Sequence, residues 1–155
     1  MQDLGRTAAG LPASEIRDRI ARLQGRIRAA AERVGRPAGA VQILAVTKTV
    51  PAETILEAAR CGVSDVGESR VQEAAIKRPV LEVEPLLVHH FIGQLQTNKA
   101  RRAVEMFDVI QSLDRDRLAE SIDRAAADLG KRQRCLVEVK LSVEAEKGGL
   151  PPSEA

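Results

Sequence analysis

Residues 43–51 read ILAVTKTVP, an apolar run that stops on Thr47-Lys48-Thr49 and then meets a proline. Side chains alternate along an extended strand, so Leu44, Val46 and Lys48 share one face. From this run onward, short apolar stretches alternate with segments of helical periodicity. Strands are expected at Gln42–Thr47, Val63–Val66, Leu87–Ile92, Phe107–Ile110 and Cys135–Leu141. Helices are expected at Ala52–Arg60, Arg70–Lys77, about Thr97–Val104, and Arg115–Leu129. Strand–helix alternation builds βαβ units on a parallel sheet, so the fold class is α/β. A closed barrel of eight such units takes about 250 residues. With 155 residues and five strands, this fold is either smaller than a barrel or a barrel cut after its fifth strand.

Upstream, Pro12-Ala13-Ser14 opens an amphipathic helix over about 13–34, with Ser14 expected as its N-cap. Ile16, Ile20, Leu23, Ile27 and Val34 form its apolar stripe, and Gly35 with Pro37 ends it. The opposite face carries Arg17, Arg19, Arg22, Arg26 and Arg33, diluted by Glu15, Asp18 and Glu32, and reads as a solvated face. A net charge of +2 with interspersed signs does not mark a polyanion binder. With two Phe, no Tyr and no Trp, aromatic stacking on single-stranded nucleic acid is largely unavailable. No nucleic-acid partner is expected. Without a signal-peptide-like start or a membrane-length apolar run, the expected location is the cytoplasm. Cys61 and Cys135, far apart, are expected as reduced, half-buried thiols.

A lysine at the carboxyl end of a parallel strand lies where α/β folds place their chemistry. Apolar walls around its ammonium would favour the neutral amine, a nucleophile able to form a Schiff base with an aldehyde. VGESRVQEA (66–74), HHFIGQLQTNK (89–99) and IQSLDR (110–115) likewise set polar residues directly after apolar runs. Four such junctions in register suggest a ligand site on one rim. His89 and His90, being adjacent on a strand, point to opposite faces and cannot share a metal. Asp114 is expected to N-cap the helix that follows it. Glu68 and Glu73 bracket a helix start, where they suit its dipole and not an acid–base pair. Lys147-Gly148-Gly149 reads as a flexible turn.

These stretches, LAVTKT, VGESRVQE, HFIGQLQTNK, IQSLDR and EVKLSVEAEKGG, resemble the YggS/PROSC family of pyridoxal phosphate homeostasis proteins. That family is similar in fold to the N-terminal barrel of alanine racemase. The resemblance runs from about Ala13 to the C-terminus. It implies a (β/α)₈ TIM-barrel type with about five of eight strands present, as one partial coenzyme-binding domain (residues 1–155, βα units about 41–155). It further implies that Lys48 carries pyridoxal 5′-phosphate as a Schiff base, with Ser69 and His90 at or near the coenzyme. Ser69 stands where the family usually has Asn, and Lys140 where it has Asn after the fifth strand. The family's phosphate-binding loops lie on later strands. The implied role is coenzyme homeostasis without turnover, with pyridoxal phosphate-dependent apoenzymes as partners. A racemase-like enzyme is the alternative, although racemization on the alanine racemase plan needs a tyrosine base that this sequence lacks. A second alternative is an inactive fragment without the phosphate-binding half. An open sheet edge implies oligomerisation or aggregation.

Overall fold

A computed structural model describes residues 12–142 and 148–154. The elements run α1 (Ala13–Arg33), β1 (Leu44–Val46), α2 (Ala52–Arg60), β2 (Asp65–Glu68), α3 (Val71–Leu81), β3 (Val88–Phe91), α4 (Ala100–Met106), β4 (Val109–Leu113), α5 (Asp116–Asp128) and β5 (Arg134–Val137). Strand order in the single sheet is β1-β2-β3-β4-β5, every pair parallel. Sequential order without a switch point is the winding of a (β/α) barrel, as expected, and not of a doubly wound sheet.

The helices cover one face of the sheet. Val66 packs with Ile55, Leu56 and Leu81 in one core; Phe91 and Ile110 pack with Val104, Phe107, Leu118 and Ile122 in a larger one. The two Phe rings meet edge-on at 5.2 Å. Along each strand the alternate residues lie on the opposite, helix-free face, where Val46 and Leu136 remain about half exposed.

Several boundaries differ from expectation, each for a physical reason. β2 extends through Gly67 and Glu68 because Glu68, though charged, is paired where it is buried. α3 continues past Lys77 and through Pro79 to Leu81, whose side chain is buried in the core. β4 starts later than expected and runs to Leu113, with a register shift between Ile110 and Leu113. β5 stops at Val137; beyond it, among the described residues, an isolated bridge joins Val139 to Leu150. A 3₁₀ turn at Thr97–Lys99 precedes α4.

Two expected caps are not formed. Pro12 occupies the N-cap of α1 without a side-chain cap, which leaves Ser14 inside the first turn. Arg115 occupies the N-cap of α5, while the Asp114 carboxylate pairs with the Arg115 guanidinium instead of the helix N–H groups. Of the α1 stripe, Ile16 is buried and Ile20 packs on the core, but Leu23 and Val34 are exposed. Gly35 does end this helix, at φ +66°. Cys61 and Cys135 are half-buried and unpaired. Among the described residues, no helix is long and apolar enough to cross a membrane.

Candidate functional site

β1, β2 and β3 deliver their carboxyl ends to one rim. The ladder aligns Val46 with Gly67 and Gly67 with His90. Lys48 and Ser69 each follow two residues beyond the Val46–Gly67 pair, so they stand at the ends of neighbouring strands, one layer above His90. The structure thus brings the three expected site residues to adjacent strand ends. Lys48 is exposed, Ser69 half-buried and His90 buried. The apolar walls expected around the lysine are therefore not supplied by the described residues. Lys147 lies outside the described residues.

Below the rim, polar side chains cross the helix-free face. Gln111 Nε2 donates to His90 Nδ1 at 2.8 Å, and His90 Nε2 donates to Asp65 Oδ1 at 2.9 Å. The ring is fixed on both edges, and Ser64 Oγ holds the other Asp65 oxygen. This ladder spans β2, β3 and β4 and gives the face a polar floor. His89, as its neighbour's opposite, faces the helices, where burial and then the Arg78 charge lower its pKa to about 4.

Close backbone packing shapes the rim. A Cβ at Gly93 would lie 2.3 Å from the Ser69 carbonyl oxygen, so the loop after β3 can approach the loop after β2 only as glycine. Gly67 similarly leaves room for Ile92, whose Cδ1 lies 3.0 Å from where a Cβ would be.

A second polar cluster sits behind Lys48, on the helix side. The Lys77 ammonium, from α3, donates to Glu68 Oε1 at 2.7 Å, Glu73 Oε1 at 2.9 Å and the Thr47 carbonyl at 2.8 Å. Thr47 Oγ1 donates to Glu68 Oε1 at 2.8 Å, and the Thr49 N–H donates to Glu73. The Lys77 hydrogen bond and the Thr49 amide hold the Glu73 pKa below the ordinary carboxylate value. Thr49 has φ +63°, the left-handed region, and is the sole non-glycine there among the described residues. For a β-branched residue that conformation costs about 1–3 kcal/mol and needs surrounding structure to hold it. Glu68 and Glu73 therefore share a buried cation, a role the dipole reading of the sequence missed. The available signal was the i,i+4 spacing of Glu73 and Lys77 and the alternation that sets Glu68 beside Val66. Asp65 carried no motif, and Gln111 lay in IQSLDR without a role of its own; strand register brings both to His90.

This donor set fits part of pyridoxal phosphate. Lys48 offers an amine for an aldehyde, and the His90 ladder offers a flat, polar floor. No phosphate cradle of clustered backbone N–H groups and cations is found at the rim among the described residues.

The model of the family described as the alanine racemase N-terminal domain matches residues 19–155. Pyridoxal phosphate homeostasis proteins of Aquifex aeolicus and Pseudomonas aeruginosa are 41% and 40% identical to this chain, over 87% and 91% of its length and 59% and 61% of theirs. PipY of Synechococcus elongatus PCC7942, solved with pyridoxal phosphate bound, is 42% identical with a TM-score of 0.75, covering 89% of this chain and 59% of PipY. Alanine racemase of Streptomyces coelicolor, 21% identical with a TM-score of 0.56 over 86% of this chain and 34% of the racemase, shares the fold. The chain spans about three fifths of the curated relatives it matches. On the family match, the sequential parallel sheet and these relatives, the chain belongs to the alanine racemase N-terminal domain family, alongside the proteins named pyridoxal phosphate homeostasis proteins.

Proposed function

We propose that this chain binds pyridoxal 5′-phosphate through Lys48 and serves coenzyme homeostasis in the cytoplasm, holding the aldehyde without turning over a substrate. The observation that carries this reading is the placement of Lys48 at the carboxyl end of β1, beside Ser69 and one layer above the hydrogen-bonded His90. When bound, the coenzyme supplies an electrophilic aldehyde carbon. Lys48 Nζ would be the amine that holds this carbon covalently, with the aldehyde oxygen released as water. Ser69 offers a hydroxyl to the ring substituents at the rim, and the Asp65–His90–Gln111 ladder keeps the imidazole edge-locked beneath it. Racemization, by contrast, exchanges protons on two faces of a substrate and needs two acid–base groups. The tyrosine that fills this role in the racemase plan is absent from these 155 residues. The partners this reading implies are pyridoxal phosphate-dependent apoenzymes that receive the coenzyme.

The test is a titration of the 155-residue chain with pyridoxal 5′-phosphate, followed by visible absorbance and by borohydride trapping with peptide mass mapping. A visible band, and trapped mass on the Lys48 peptide, are expected; Lys48→Ala loses both. A band that survives Lys48→Ala refutes the reading.

A further inference from the structure

The residues flanking Lys48 are held by three charged side chains from β2 and α3. Lys77 donates to the Thr47 carbonyl, Glu68 accepts from the Thr47 hydroxyl, and Glu73 accepts from the Thr49 N–H. Lys77 and Glu68 have side chains only 11% and 6% exposed, and Glu73 22%. Taking such charges out of water is costly, and well-packed apolar residues often serve stability as well or better. The cluster is thus poorly explained as a device for stability alone. Its three acceptor–donor contacts converge on the one turn that carries Lys48, and on the one non-glycine left-handed residue described, Thr49. The Val50 N–H closes the turn by donating to the Thr47 carbonyl at 3.0 Å, and Thr49 Oγ1 donates to the Lys48 carbonyl at 2.6 Å. Strain held at a turn by an over-determined set of contacts is the pattern of a pre-organised functional residue.

We propose that Glu73, braced by Lys77 and Glu68, is a positioning residue that holds Thr49 left-handed and so fixes the direction in which the Lys48 amine leaves the end of β1. This rests on the reading of Lys48 as the coenzyme-binding amine and deepens it. An exposed lysine has many rotamers, and an anchored backbone removes the part of that freedom that lies in the chain itself. Glu73 touches neither the amine nor the aldehyde. Its effect passes through the Thr49 amide.

The test uses the 155-residue chain, with Glu73→Ala, Glu73→Asp, Glu73→Gln and Lys48→Ala. Two readouts go beyond coenzyme uptake. The ¹³C shifts of Thr49 report its backbone conformation without any coenzyme, and the visible ellipticity per bound chromophore reports how rigidly the amine is directed. Glu73→Ala is expected to move the Thr49 shifts out of the left-handed range. The same variant should cut the ellipticity severalfold and slow condensation about tenfold. Glu73→Asp keeps the charge but withdraws the carboxylate by one methylene, so it should lose the same properties. It also serves as the informative variant should Glu73→Ala fail to fold. Glu73→Gln keeps an acceptor at full reach and should recover most of the ellipticity, which a role confined to the ion pair would not allow.

The proposal is overturned if Thr49 stays left-handed in the Ala and Asp variants. It is equally overturned if Thr49 relaxes while ellipticity and rate hold. Either result leaves the Lys48 reading intact as long as Lys48→Ala abolishes the band. A band that persists in Lys48→Ala overturns the reading itself, and the positioning role with it.

Discussion

At His89 the imidazole faces the helix-covered core, and burial, reinforced by Arg78, sets its pKa at about 4 against an ordinary 6.5. The folded chain therefore resists a proton that the unfolded chain accepts. Above pH 6.5 neither state is protonated at this site and the stability is intact. As pH falls from 6.5 towards 4 the unfolded state binds the proton first, and stability drops by up to about 3 kcal/mol from this one group. Urea unfolding of the protein and of His89→Leu at pH 7 and pH 4 measures this. The difference in unfolding free energy between the two proteins should shift against the wild type by most of that amount. Carboxylates that titrate in the same window cancel in the comparison. A constant difference would place the His89 ring in water. One residue further along, His90 is held by Gln111 and Asp65 on the other face. Period-two alternation made this separation legible in the sequence. What remained hidden was the partner list, because Asp65 and Gln111 are 25 and 21 residues away and meet His90 only through strand register.

Among the elements, two glycines separate local from tertiary reasons for the same residue type. Gly93 follows β3, and an added Cβ would lie 2.3 Å from the Ser69 carbonyl oxygen, a contact that only movement of the backbone can relieve. Gly93→Ala is expected to destabilise the chain by at least about 2 kcal/mol, through crowding where two loops meet at the rim. Gly25 lies within α1 with nothing within 4 Å of its would-be Cβ, so Gly25→Ala should stabilise by about 0.5–1 kcal/mol through helix propensity. Thermal or urea unfolding of both variants checks the pair; equal effects would contradict the close approach. Element order and strand–helix alternation could be read from periodicity, because strands and helices repeat their apolar positions at different spacings. Element ends could not. Glu68 looks like a loop residue until Lys77 is known to neutralise it inside the fold, and Pro79 looks like a helix stop until Leu81 is seen buried beyond it. The clamp behind Lys48 was illegible for the same reason, since its contacts join residues 47 and 49 to 68, 73 and 77 across the β1–β2 pair. Lys48 itself was legible from its place in a strand, but its exposure was not, because walls around it depend on whatever faces the open side of the sheet.

For the whole molecule, the decisive feature is that, among the described residues, helices cover one face and neither lateral edge carries a further strand. β1 pairs only with β2, and β5 pairs only with β4, among the described residues. Beyond β5 a single bridge, Val139 to Leu150, adds two hydrogen bonds of 2.8 and 2.7 Å. Near this edge Leu136 and Val137 are 53% and 52% exposed, and Leu141 is 87% exposed. Unpaired strand backbone flanked by apolar side chains is a template for joining another chain, and charge on such an edge is the usual protection. A 16.8 kDa chain with this edge should self-associate as concentration rises. Leu136→Lys adds a charge that must stay hydrated at the edge, so it should shift the equilibrium towards the monomer without loss of secondary structure. Sedimentation equilibrium over a concentration series, with far-ultraviolet circular dichroism as the folding control, distinguishes the outcomes. A wild-type mass that stays monomeric throughout would mean that the β5 edge is already protected. Association undiminished in Leu136→Lys would instead move the contact to the β1 edge or to the helix-free face around Val46.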